Sequence, residues 1–148
     1  MAKDYTKELR EKGQERTRLT KQLQEMLLKV AEEIAENVDE GTEVEVADAL
    51  YRVHRYESNI GSFRTIVISY PDEYRHMCYR AIDNESPGSE YYLHRDFNSI
   101  VVVAERDEFL HFANHLPEIV RAFEAKEDAM IEELRDAFER LRKLAEEK

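Results

Sequence analysis

The chain has 148 residues and a formal net charge of -11, with one cysteine and no tryptophan. That length suits one domain with a core large enough to fold without metal or disulfide. A single cysteine excludes an intramolecular disulfide, no apolar run approaches a membrane span, and the polar N-terminus has no signal-peptide core, so a cytoplasmic protein without membrane contact is expected.

In chain order, residues 1–18 are polar, with Leu9 as the main apolar anchor and Gly13 interrupting; they form an arm or a helical extension. Residues 19–38 then place Leu19, Leu23, Met26, Leu27, Val30, Ile34 and Val38 three and four apart, the mark of an amphipathic helix. Gly41 ends it. "EVEVADALYRV" reads either as the start of a long strand or as a short helix. "YRVHRYE" and "FRTIVISYP" are rich in β-branched and aromatic residues and flank "SNIGS", which predicts a β-hairpin. "EYRHMCYRAI" fits a strand or a short helix, "DNESPGSE" is a loop, and "YYLHRDF" and "SIVVVA" predict two more strands. No connection is long enough for parallel crossovers, so an antiparallel meander of four or five strands is expected over about residues 50–104. A helix should start at Asp107 as N-cap, and Pro117 should kink or restart it.

From there the chain carries a heptad pattern. Leu116, Phe123, Met130, Ala137 and Leu144 fall seven apart. Val120, Leu134 and Leu141 supply the second seam position, Glu127 breaks it, and Ile131 and Phe138 widen the stripe. A helix this long outruns a sheet of short strands, and its far end needs a partner: either helix 19–38 folded back antiparallel, or a second copy of the chain. A homodimer is favoured, with Leu116, Val120, Phe123, Met130, Leu134, Phe138 and Leu141 as oligomerisation residues. The expected fold is α+β, with a core over 19–123 and a projecting helix over 124–148.

Charge divides unevenly along this plan. Residues 1–49 and 98–148 each sum to -5, whereas residues 50–97 sum to -1 and hold seven of the eight tyrosines. Arginine pairs with phosphate through a planar fork and tyrosine offers a face for an unpaired base. Arg52, Arg55, Tyr56, Arg64, Arg75, Tyr79, Arg80, Tyr92 and Arg95 are therefore candidates for binding a single-stranded nucleic acid through the sheet. The competing explanation is that the arginines neutralise the acidic helices, and the binding explanation requires them to share one face.

Two weaker candidates remain. Asp107, His111 and His115 are each four apart on one helix face, a metal-chelating spacing that more often forms a plain polar stripe. Cys78 lies between His76 and Tyr79 with Arg75 and Arg80 near, a setting for a reactive thiolate but more often a small core residue. No Gly-rich phosphate loop or catalytic triad is readable, and neither a cofactor nor an enzyme activity is expected.

The order of elements in "FNSIVVVAERDEFLHFANHLPEIVRAF" resembles the β-meander-plus-helix module of Pur-alpha-type and related transcriptional-coactivator single-stranded nucleic-acid-binding proteins. The resemblance implies paired modules with the strand held on a curved sheet, contacted by the arginines and tyrosines named above. Two expectations follow: a nucleic-acid-binding oligomer acting through its sheet, or a protein–protein assembly module acting through its helices.

Overall fold

The computed structural model describes residues 3–58, 61–70, 90–95 and 103–147. The element order is α1 (Lys7–Asn37), β1 (Glu43–Val46), β2 (Ala49–Ser58), β3 (Gly61–Ser69), β4 (Glu90–Leu93), α2 (Arg106–Asn114) and α3 (Leu116–Glu146). The four strands form one antiparallel sheet in the order β1-β2-β3-β4, so the α+β architecture stands as expected. "EYRHMCYRAI", with His76 and Cys78, lies outside the described residues. Of "SIVVVA" only Val103 and Ala104 are described. Val103 bridges Tyr92 in parallel, not antiparallel, and the Ala104 N–H donates to the Tyr92 carbonyl at 3.0 Å.

Several boundaries differ from those expected, each for a local reason. The first helix begins at Lys7, so the polar arm is helical. The ambiguous "EVEVADALYRV" is neither one long strand nor a helix. Ala47 and Asp48 take φ of 49° and 65° and reverse the chain between β1 and β2. Two successive left-handed residues are the geometry of a type I′ hairpin turn, whose usual residues are Asn and Gly. Helix α2 starts at Arg106, with Glu105 rather than Asp107 as its N-cap. Glu108 reaches back and accepts a hydrogen bond from the Glu105 N–H at 3.1 Å, which satisfies an otherwise orphaned helix-start donor. At His115 the chain leaves helical geometry and restarts, with Pro117 in the first turn of α3 where no N–H is required of it.

The core lies between one sheet face and the helices. Val44, Val46, Ala49, Tyr51, Val53, Ile66 and Ile68 point to that face. Leu27, Leu28, Ala31 and Ala35 of α1, Phe109 and Phe112 of α2, and Ile119 and Phe123 of α3 close it. Helix α1 packs on β3 and α3 packs on β1. Leu19 and Met26, expected on the buried stripe, are 50% and 68% exposed. The buried stripe is centred instead on Leu27, Leu28 and Ala31, the side that faces β3.

Helix α1 does not fold back against α3. Residues 12–24 lie beside residues 105–110, and residues 30–38 lie beside residues 120–128. The two stretches advance in the same sense. Helix α1 ends where the Asp39 N–H donates to the Glu127 carboxylate at 3.3 Å. Residues 129–146 of α3 continue beyond that point, and every side chain from 131 to 147 is exposed. No helix among the described residues is long and apolar enough to cross a membrane.

Candidate functional site

Strand register decides which candidates meet. Arg52 pairs across with Val67, and Arg55 directly with Arg64. Successive side chains alternate, so Arg52 lies on the outer face while Arg55 and Arg64 lie on the helix-facing side. Each has a partner. Arg52 Nη2 is 3.2 Å from Glu90 Oε1. Arg55 Nε is 3.5 Å from Glu40 Oε2. Arg64 Nη1 donates to the Val38 carbonyl at 3.4 Å, at the C-terminal end of α1 where the helix dipole favours a cation. Arg95 shares with Arg64, Glu32 and Glu36 the lining of a cavity of about 510 Å³. The described arginines therefore do not share one face, and three of the four turn toward acidic groups or the carbonyl end of α1. Arg75, Tyr79 and Arg80 lie outside the described residues.

The outer face of the sheet is aromatic instead. Tyr56 lies 5.1 Å from Phe63, 5.1 Å from His94 and 6.1 Å from Tyr92, ring centre to ring centre. Phe63 stacks on His94 at 5.4 Å, and His54 meets Tyr92 edge-on at 5.8 Å. Such contacts hold rings in fixed orientations and add to their burial. Burial pushes the Tyr92 phenol above its ordinary pKa, with Glu90 adding to the shift, so it stays a neutral donor. Behind these rings Thr65 and Val67 are each 2% exposed, and the Thr65 hydroxyl donates to the Leu93 carbonyl at 2.8 Å.

The histidines on α2 serve the fold. His111 Nε2 lies 2.9 Å from the Ala47 carbonyl. A carbonyl only accepts, so Nε2 carries the proton and Nδ1 accepts from the Tyr51 hydroxyl. Tyr51 is fully buried, and burial raises its pKa, with Tyr70 adding to the shift, which keeps the phenol protonated. One imidazole thus ties β2, α2 and the β1–β2 turn together. The His115 ring meets that of His111 at a tilt of 46°, 4.7 Å centre to centre, and holds Nδ1 3.7 Å from Glu118. Asp107 points to solvent beside Arg106. Both His111 nitrogens are engaged, so this trio presents no open chelating face, and no group of three or more His, Cys, Asp or Glu side chains that could hold a metal occurs among the described residues. The Tyr51–His111 pair spans 60 positions and has no local signal that a sequence could reveal.

The third candidate is the seam of α3, and the structure divides it. Ile119 and Phe123 are buried, and Leu116, Val120 and Met130 are partly buried. Beyond them Ile131, Leu134, Phe138, Leu141 and Leu144 are 42%, 63%, 65%, 68% and 59% exposed. Isolated apolar side chains on a surface are ordinary, but five large ones along one helix make a contiguous patch of the kind that marks an interaction site.

Among the described residues the fold is thus an α+β sheet with helices on one face and a projecting helix whose apolar stripe no described part of the chain covers. No protein-family model, no curated protein and no solved structure matches the chain.

Proposed function

We propose that this protein is a non-enzymatic assembly module that joins protein chains through the projecting part of α3. The observation that carries the reading is the exposed heptad stripe of residues 131–144. It continues a seam whose first turns are packed against β1 and lie beside the end of α1, yet no part of the described chain covers it. A stripe of this spacing on a straight helix is complementary to another helix. Sedimentation velocity over a wide concentration range tests it. Association that Leu134→Asp abolishes, with the circular dichroism spectrum unchanged, is the expected result. A monomer at every concentration that also retains no helical partner defeats the reading.

A second reading has its own observation. The outer sheet face presents Tyr56, Phe63 and Tyr92 with Arg52 alongside, which is the composition of a stacking platform for a single-stranded nucleic acid. The separation of Arg55 and Arg64 to the other face weakens it, because phosphate contacts would then rest on few cations. Fluorescence polarisation with single-stranded oligonucleotides across a salt series checks it. Binding that weakens steeply with salt and is lost in Tyr56→Ala supports the platform, and no binding at low salt removes it.

A further inference from the structure

We infer that the partner of the projecting helix is a second copy of this chain, paired antiparallel in one register, with Leu134 of each copy facing Ala137 of the other. The inference rests on the assembly reading above and adds the partner, the direction and the register.

The overhang is suited to its own kind. Residues 129–146 hold five acidic and four basic side chains, near balance in a chain of net charge -11. Two copies can therefore bring these helices together although the molecules as a whole repel. The seam positions are Met130, Leu134, Ala137, Leu141 and Leu144, at alternating steps of four and three. Phe138 and Ile131 flank the seam on one side, and Lys126, Glu133, Arg140 and Glu147 flank it on the other.

Direction is set by Glu127. It occupies a seam position and is half-buried, held by the Asp39 N–H. A parallel pair in register would place two Glu127 carboxylates in one layer, where like charges destabilise. It would also set Glu133 against the partner's Phe138, with no charge pairing along the flanks. An antiparallel pair separates the two Glu127 residues to opposite ends of the interface, each opposite the partner's Leu144.

Register is set by the flanks. In an antiparallel pair, side chains on the same flank of the two helices meet one another. With Leu134 opposite the partner's Ala137, Met130 meets the partner's Leu141. Glu133 then meets the partner's Arg140, Lys126 meets the partner's Glu147, and Ile131 meets the partner's Phe138. Two-fold symmetry makes each contact twice. Slipping the pair by one heptad in either direction sets Glu133 against the partner's Glu133 or Arg140 against the partner's Arg140. Only one of these registers satisfies both the charged and the apolar flank.

Charge exchange in the full-length chain tests this. Glu133→Arg and Arg140→Glu each turn two attractive contacts into repulsive ones, so each variant alone should dimerise roughly tenfold to thirtyfold more weakly. Mixed together, the two variants should form a one-to-one heterodimer, distinguished by mass from either homodimer in native mass spectrometry. Both changes in one chain should restore the homodimer. Both positions are solvent-exposed, so the monomer fold is unaffected. If the unaltered protein dimerises but neither the mixture nor the double variant recovers affinity, this register is wrong while the assembly reading stands. If the unaltered protein never associates with itself, this inference falls, and the assembly reading falls with it only where no other helical partner is retained.

Discussion

The two halves of α3 carry one sequence pattern and live in two environments. Over residues 116–128 the seam meets β1 and the end of α1, and Ile119 and Phe123 are buried. Over residues 129–146 the same spacing faces solvent, with Phe138 65% exposed where Phe123 is 2% exposed. Periodicity therefore reports that a helix has an apolar face, not what covers it. The cover in the first half is intramolecular and independent of concentration. In the second half no described residue supplies a cover, and the contribution of the proposed partner would scale with its concentration.

The largest expected effect separates the halves directly. Phe123→Ala should cost about 3–5 kcal/mol of folding stability, as for other buried phenylalanines, at any protein concentration. Phe138→Ala in a dilute monomer should stay within about 0.5 kcal/mol, because an exposed side chain loses little on truncation. Chemical denaturation at low concentration reads both, and equal costs would show that the second half is packed within the monomer. Next in size is the Tyr51–His111 contact, which braces the packed half from beneath. Tyr51→Phe keeps the ring but leaves Nδ1 of His111 without its donor, at a cost of about 1–3 kcal/mol. If the denaturation midpoint does not move, the imidazole is satisfied in another way and the brace is not real.

These sites differ in how visible they are in sequence. The amphipathic helices and the β2–β3 hairpin follow from periodicities of 3.6 and 2 and from a Gly-containing turn, and all are present. The β1–β2 hairpin was illegible because Ala47 and Asp48 lack the Asn-Gly signature that a left-handed pair usually carries. The division of the arginines required the register, since a shift by one residue exchanges the faces. Asp107 looked like the N-cap because its carboxylate is the usual helix-start acceptor. Glu105 takes the N-cap place instead, and Glu108 in the first turn reaches back to its N–H.

That capping carboxylate gives a pH dependence confined to the packed region. Burial raises the pKa of Glu108, although the Glu105 N–H opposes the shift. Below its ordinary value the group is protonated in both folded and unfolded chains, and its contribution to stability is complete. As pH rises through the interval up to the raised value, the unfolded chain releases the proton first and stability falls. Glu108→Gln keeps an acceptor for the Glu105 N–H without the charge. Its stability relative to the unaltered protein should therefore rise from about pH 4 to pH 7. The trend should be the same at low and high protein concentration. A flat difference across that range would mean that the carboxylate is fully solvated.

The smallest effect tests whether the turn beneath α2 is strained. Ala47 holds φ of 49°, a region that costs an L-residue about 1–2 kcal/mol and that glycine enters freely. Its carbonyl, not its side chain, is what His111 binds, so removing the methyl leaves that hydrogen bond in place. Glycine also gives up more freedom on folding, by about 0.5–1 kcal/mol. Ala47→Gly should therefore stabilise the monomer by about 0.5–1 kcal/mol, and any self-association constant should not change, because the turn lies in the packed region and the proposed interface in the projecting one. A gain in folding stability accompanied by a shift in association would mean that the two halves of α3 are coupled through the sheet, and that the boundary at Glu127 does not insulate one from the other.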